Sequence, residues 1–270
     1  LGQFSVGKLL LGILLPGILL AVVYAAYIVI RCLIQPNLAP AYDVEPTPIW
    51  PRINRTIHYV VPLVTIIVVV IGTIFFGIAT PTEAAALGAL FCFLLVAIYG
   101  KLNWEVVKKS VAAATSISVM VFIILTGSTA FSQILAFTGI TVGITELALT
   151  WSEHPIFILL AMQLILLLLG MFVEQTSIVM ITTPMYFPIV STFGWDPVWF
   201  GAIMLLNLEL ATISPPFGLS LFVMKGIASK NTTMGDIYQA ALPFVGLNLL
   251  VMAIMITVPG TVLWLPGLMK

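Results

Sequence analysis

The segment NLELATISPPFG, residues 207–218, interrupts an apolar run that extends from Val198 to Met224. Pro215 and Pro216 remove two adjacent backbone donors, which ends the first half of a helix and leaves carbonyl groups without partners. Unwound backbone of this kind offers carbonyl oxygens to Na⁺ or another hard cation. The segment therefore predicts a discontinuous helix across residues 195–230, and the alternative is a simple kink between two packed helices.

A second polar interruption, GMFVEQTS at residues 170–177, separates two short apolar runs, Ile156–Phe172 and Ile178–Phe193. These runs are either two full spans or the arms of a re-entrant hairpin. The turn between them is tight, polar and without a helix cap, and such a turn is tolerated at membrane depth only where protein or water surrounds it. We therefore predict a re-entrant hairpin at residues 151–194, with a half-helix N-terminus that presents N–H groups to an anion.

Composition indicates a membrane protein. Of the 270 residues, 61% are hydrophobic and 7% are charged, with a net charge of zero, whereas a soluble domain carries about 25% charged residues. A chain this apolar cannot cover a water-facing surface, so we predict an all-α integral membrane protein. Nothing indicates a nucleic-acid partner. His58 and His154 have no nucleophile or carboxylate at a useful spacing, and Cys32 and Cys92 have no metal-ligand spacing, which argues against an enzyme.

The rest of the hydropathy pattern divides the chain into further segments. The linker at residues 35–56 contains five prolines and is predicted not to form a regular helix. Thr80 or Thr82 is predicted to cap the third helix, with Glu83 in its first turn. The predicted segments are a transmembrane helix in residues 1–34 (apolar from Leu9 to Ile30), a Pro-rich cytoplasmic linker in 35–56, a helix pair in 57–100 (His58–Phe76 and Ala84–Tyr99), an amphipathic arm (Lys101–Lys109) with a transmembrane helix (Val111–Phe137) in 101–150, and a last helix in 231–270 (Ile237–Leu265).

Basic residues give the orientation. Lysines and arginines cluster in the linker and in the loop after residue 100, and the positive-inside rule places both on the cytoplasmic face. Lys225 and Lys230 fall on the same face if the hairpin re-enters, so the hairpin opens from the opposite side. The chain begins Leu-Gly-Gln rather than with Met, and we expect it to be part of a longer protein.

Some polar residues have competing interpretations. Glu174 lies at an aqueous surface if the two short runs are full spans. Glu209 is either a ligand or a structural residue that is hydrogen-bonded or protonated in the membrane. Small residues at Thr126–Thr129 favour close helix approach over ion binding.

Several motifs together carry a family resemblance. The sequence resembles the large membrane subunit of TRAP (tripartite ATP-independent periplasmic) transporters, and the matches occur in that family's order over nearly the whole chain. The matching stretches are GIATPTEAA at 77–85, LGMF at 169–172, Pro184 to Pro188, DPVWFG at 196–201, SPPFG at 214–218, PF at 243–244 and WLP at 264–266.

The resemblance implies an elevator-type transporter of the ion-transporter-superfamily kind, with two inverted repeats that each hold a hairpin and a discontinuous helix. Residues 1–34 resemble the end of the first repeat, and the chain from Arg52 onward resembles the second. By position, the resemblance implies substrate and ion binding at Gly170, Glu174, Gln175, Thr176, Ser177, Thr212, Ser214, Pro215, Pro216 and Gly218, with Glu209 as a further candidate. It implies Na⁺ near Thr176, Ser177, Thr212 and Ser214.

The resemblance also implies a function: sodium-driven uptake of organic anions, of the C4-dicarboxylate, keto acid, sialic acid and sugar acid class, across the bacterial inner membrane. The expected partners are a small TRAP membrane subunit and a periplasmic substrate-binding protein. Three alternatives remain: a sodium/carboxylate symporter without a binding protein, a membrane-embedded enzyme that uses Glu174 and Glu209 as paired acids, and a structural subunit.

Overall fold

The computed structural model describes residues 5–38, 48–151, 154–229 and 231–269, which form helices joined by loops. Five helical segments are long and apolar enough to cross a membrane, and they confirm an all-helical, multi-pass membrane fold. These segments are Val6–Ile34, Ile49–Phe75, Pro81–Ile98, Trp104–Phe137 and Met234–Thr257. The helices are α1 Val6–Gly12, α2 Leu14–Ile34, α3 Ile49–Tyr59, α4 Val61–Phe75, α5 Pro81–Ile98, α6 Trp104–Phe137, α7 Ile140–Trp151, α8 Pro155–Gly170, α9 Gln175–Thr192, α10 Pro197–Thr212, α11 Leu219–Ile227, α12 Met234–Thr257 and α13 Gly260–Gly267.

Helix α10 forms the centre of the packed core. Phe200, Ile203 and Leu208 are at most 1% exposed, and the helix packs against α1, α8, α9, α12 and α13. A helix that is apolar around most of its circumference is buried in this way. Asp196 fixes its start, because the Asp196 carboxylate accepts hydrogen bonds from the N–H groups of Val198 (2.8 Å) and Trp199 (3.1 Å). Core packing and this cap hold α10 in place, and the chain unwinds after its last residue, Thr212.

Helices α4 and α5 pack against each other, and the predicted cap at their junction is confirmed. The Thr80 hydroxyl accepts a hydrogen bond from the Glu83 N–H at 3.4 Å, and the Glu83 carboxylate accepts one from the Thr80 N–H at 2.8 Å. This reciprocal pair is a capping box, which satisfies two N–H groups at the start of α5.

Two sequence expectations about the helices are wrong. Residues 49–56 of the linker are helical, since Pro51 lies in the first turn of α3, where a backbone N–H has no helical partner to lose; residues 39–47 lie outside the described ranges. The last span is broken between α12 and α13, where Pro259 removes a donor. The amphipathic arm and the span that follows it form one helix, α6, whose 34 residues extend about 51 Å at ~1.5 Å per residue.

Prolines also create cross-helix contacts, because each one leaves the carbonyl four residues earlier without its helical N–H partner. Pro259 deprives the Met255 carbonyl in this way, and that oxygen instead accepts a hydrogen bond from the indole Nε1–H of Trp199 at 2.7 Å. Pro62 does the same to the His58 carbonyl, which accepts a hydrogen bond from the Tyr99 hydroxyl. A neighbouring helix supplies the missing donor in both cases, so the breaks also bind the bundle together.

A buried amide pair fixes α8 on α10. Asn207 Nδ2 donates to the Gln163 carbonyl at 2.6 Å and to Gln163 Oε1 at 2.8 Å. Asn207 Oδ1 and Gln163 Nε2 have no hydrogen-bond partner among the described residues. Because half-satisfied polar groups in a core are costly, the pair strongly restricts how α8 and α10 can be aligned.

Candidate functional site

The turn between α8 and α9 is organised by Glu174, which is the N-cap of α9. Glu174 Oε2 accepts a hydrogen bond from the Ser177 N–H at 3.0 Å, and Oε1 accepts one from the Thr176 hydroxyl at 2.7 Å. The prediction of an uncapped tip is therefore wrong, because a carboxylate at a helix N-terminus caps it and is favoured by the helix dipole. The segment that contains this turn, residues 170–177, is called the hairpin tip below.

The carboxyl group at the hairpin tip accepts hydrogen bonds on both of its oxygens. The Thr176 hydroxyl donates to Oε1, and the Ser177 N–H donates to Oε2. Hydrogen bonds that a carboxyl accepts, and a position at a helix N-terminus, both favour its charged form. The N-terminus of α9 is thus already served by an acid of the same chain, which makes the tip better suited to a cation than to a substrate anion.

The chain unwinds between α10 and α11, over residues 213–218. Pro215 and Pro216 deprive the carbonyls of Ala211 and Thr212 of their helical donors; the Ala211 oxygen accepts a hydrogen bond from the Ser214 N–H at 3.2 Å instead. A Cβ added to Gly218 would lie 2.4 Å from the Thr212 carbonyl oxygen. Glycine is therefore required for the chain to fold back against that oxygen. The prediction of a discontinuous helix in this segment agrees with the break between α10 and α11.

Three contacts join the hairpin tip to the end of α10 and to the unwound segment. A Cβ added to Gly170 would lie 2.5 Å from Ala211 Cβ, so the ends of α8 and α10 approach as closely as glycine permits. Gln175 Nε2 donates to the Leu208 carbonyl at 3.1 Å. The rings of Phe172 and Phe217 lie 4.8 Å apart between centroids. The structure therefore brings together the two polar interruptions that the sequence singled out.

The four predicted sodium-ligand side chains each form a hydrogen bond within their own segment. Thr176 and Ser177 bond to Glu174, while the Thr212 hydroxyl donates to the Glu209 carbonyl at 2.7 Å and the Ser214 hydroxyl donates to the Leu210 carbonyl at 2.8 Å. Among the described residues, no hydrogen bond joins the first pair to the second. Each of these hydroxyl groups keeps oxygen lone pairs that a cation can use.

Glu209 and Glu174 were the two acids of the enzyme alternative. Both side chains are exposed, and no hydrogen bond among the described residues joins them. The Glu174 carboxyl instead bonds to its own helix start, at Thr176 and Ser177.

Two neighbours of the site were not predicted from the sequence. Tyr238, in the first turns of α12, donates its hydroxyl hydrogen to the Pro216 carbonyl at 2.7 Å and so fixes the unwound segment. The pairing of Phe172 with Phe217 is the other. Neither has a local signal, because each depends on the three-dimensional meeting of segments that are distant in sequence.

The sequence of the chain matches a family of known proteins. Residues 1–261 match the family described as "Tripartite ATP-independent periplasmic transporter, DctM component". The chain belongs to the DctM family.

Curated relatives agree with this assignment. The C4-dicarboxylate TRAP transporter large permease protein DctM of Vibrio cholerae is 32% identical over 225 residues, which are 76% of this chain and 49% of that protein. The sialic acid TRAP transporter large permease protein SiaM of the same species is 32% identical over 74% of this chain and 47% of that protein. The isethionate TRAP transporter permease protein DctMQ of Oleidesulfovibrio alaskensis is 34% identical over 74% of this chain and 31% of that protein. The chain thus spans about half the length, or less, of these relatives.

Membership of the DctM family has two direct consequences. The chain belongs to a transporter permease and is not an enzyme, which removes the paired-acid alternative. It is a multi-pass protein of the bacterial inner membrane, and its five long apolar helical segments agree with several membrane spans.

Proposed function

We propose that this DctM chain forms part of a permease for sodium-coupled, binding-protein-dependent uptake of small organic anions. The observation that carries the sodium site is the junction of the hairpin tip with the unwound segment. The hairpin tip contributes the Glu174 carboxyl, and at the end of α10 Pro216 leaves the Thr212 carbonyl without a helical donor. A carboxylate, hydroxyl groups and freed carbonyls are the oxygen ligands that a hard cation prefers.

The substrate class follows from the relatives. C4-dicarboxylates, sialic acid and isethionate are all small organic acids, and each is named for a relative that aligns with about three quarters of this chain. We assign this chain the same class, with Gly170, Gln175, Ser177 and Gly218 among the residues that shape the site. A bound cation at the junction would supply positive charge for a carboxylate that the chain's own acidic tip would otherwise repel.

The proposed architecture is that of the second inverted repeat of an elevator-type transporter. Helices α8 and α9 would form the re-entrant hairpin, and α10 and α11 the discontinuous helix. These elements pack around α10 with α1, α2, α12 and α13 as one body. That body would move relative to a scaffold that contains α4 and α5, with the start of α6 as the connecting arm. The proposed partners are a small TRAP membrane subunit and a periplasmic substrate-binding protein.

Uptake by the complete permease in proteoliposomes tests this function. We expect uptake of an organic acid to rise steeply with external sodium and to require the periplasmic binding protein. Ser214→Ala and Thr176→Ala should each raise the sodium concentration that half-saturates uptake. Uptake that proceeds without a binding protein would instead assign the chain to a two-component symporter. Uptake that is indifferent to sodium and to both substitutions would refute the coupling mechanism.

A further inference from the structure

Helix α9 also contains a carbonyl that a proline leaves without its helical donor. Pro184 has no N–H, so the carbonyl of Met180, four residues earlier, lacks its helical partner. In an apolar environment an unpaired carbonyl is unfavourable, because no water is available to replace the lost hydrogen bond. Met180 lies one helical turn after Thr176, so this carbonyl is on the part of α9 that leads directly from the hairpin tip.

The missing donor comes from α6. The Ser128 hydroxyl donates a hydrogen bond to the Met180 carbonyl. Ser128 is 4% exposed, although most of the described residues of α6 are exposed. Ser128 and Ser177 also line one cavity of about 380 Å³ between α6 and α9, so the bond lies within reach of the residues proposed to bind the ion.

Within residues 126–129 of α6, Ser128 is the residue whose hydroxyl bonds to another helix. The hydroxyl groups of Thr126 and Thr129 donate to carbonyls of α6 itself, at 2.8 Å each. A Cβ added to Gly127 would meet nothing within 4 Å. The expected close approach of helices at Thr126–Thr129 is therefore found at Ser128, whose hydroxyl reaches the backbone of α9, and not at Gly127.

We propose that Ser128 is a positioning residue for the transport reaction, since its bond to the Met180 carbonyl holds the first turns of α9 and so places Thr176 and Ser177. This inference rests on the proposed sodium-coupled function. The bond replaces a hydrogen bond that Pro184 removes, as the Tyr99 and Trp199 side chains do at two other prolines. In α9, unlike in the other two cases, the carbonyl lies one turn from the candidate ion site.

The test is a double-mutant cycle in the complete permease, with its partner proteins, in proteoliposomes. Ser128→Ala should lower the midpoint of thermal unfolding and raise the sodium concentration for half-maximal uptake by about fivefold, the effect of one typical hydrogen bond. The maximal rate of uptake should change less. Ser128→Thr keeps the hydroxyl, so its unfolding midpoint and its sodium concentration for half-maximal uptake should match those of the wild type. Pro184→Ala supplies a backbone N–H to the Met180 carbonyl, so adding Ser128→Ala to it should change little.

Ser132→Ala is the matched control. Its hydroxyl donates to the Ser128 carbonyl at 2.8 Å, within α6, and its removal should leave sodium half-saturation unchanged. The proposal is overturned if the effects of Ser128→Ala and Pro184→Ala are additive, or if Ser128→Ala lowers thermal stability while sodium half-saturation stays the same. If wild-type uptake does not depend on sodium, the proposed function fails separately. The double-mutant cycle still decides the role of Ser128 when it is measured by the unfolding midpoint and by the substrate concentration for half-maximal uptake.

Discussion

A methyl group added at Gly170 is expected to force α8 away from α10 and so disturb the junction of the hairpin tip with the unwound segment. The new Cβ would lie 2.5 Å from Ala211 Cβ, whereas carbon atoms pack at about 3.5–4.0 Å. Both atoms are attached directly to helix backbone, so rotation of a side chain cannot relieve the overlap. Overpacking of this kind costs about 1–3 kcal/mol, and alanine's better helix propensity offsets at most about 1 kcal/mol of it.

Thermal unfolding of the purified permease measures this effect. For a domain of 150–250 residues, about 1 kcal/mol corresponds to roughly 2–4 °C. A net cost of up to about 3 kcal/mol means that Gly170→Ala should lower the unfolding midpoint by up to roughly 12 °C, and it should weaken sodium-dependent uptake. Gly246→Ala is the control, because a Cβ at Gly246 in α12 would meet nothing within 4 Å.

A compensating substitution makes this prediction specific. Ala211→Gly removes the opposing methyl group, so Gly170→Ala should cost little when it is added to Ala211→Gly. The reasoning is refuted if Gly170→Ala is as harmless as Gly246→Ala, or if its cost is the same in the presence of Ala211→Gly.

Two further predictions concern hydrogen bonds described above. Glu174→Gln removes the charge at the start of α9 while keeping an acceptor oxygen. We expect a loss of about 0.5–1 kcal/mol in stability and a higher sodium concentration for half-maximal uptake. An unchanged sodium concentration for half-maximal uptake would show that the carboxylate does not attract the ion. Trp199→Phe removes the donor to the Met255 carbonyl, which Pro259 leaves without another, and should destabilise the protein by about 1–3 kcal/mol in thermal unfolding; the same substitution at Trp264, which is 59% exposed, should have a much smaller effect.

Local signals in the sequence were sufficient for the helix boundaries that depend on neighbouring residues. Thr80 with Glu83 predicted a cap, and the Pro215–Pro216 pair predicted the end of α10, because caps and prolines act within one turn. The same logic misled at the linker, where Pro51 is tolerated in the first turn of α3. The sequence also contained the cap of α9, since an acid precedes the helix, but none of the interpretations of Glu174 was that of a helix cap.

The contacts that assemble the candidate site required the structure. Gly170 is a small residue in an apolar run until its approach to Ala211 is seen, and Ser128 is one of several hydroxyl residues in α6 until its partner is known. Both depend on which helices are neighbours, and local propensity carries little information about that. The prolines alone give a partial signal, because each one marks a carbonyl that another helix must satisfy.

Binding of radiolabelled sodium to the purified complete permease tests the central claim most directly, because it needs neither a substrate nor a partner protein. We predict saturable binding that is weakened by Glu174→Gln and by Ser214→Ala, and unaffected by Gly246→Ala. Saturable binding that is the same in all four proteins would place the sodium site elsewhere and contradict the account.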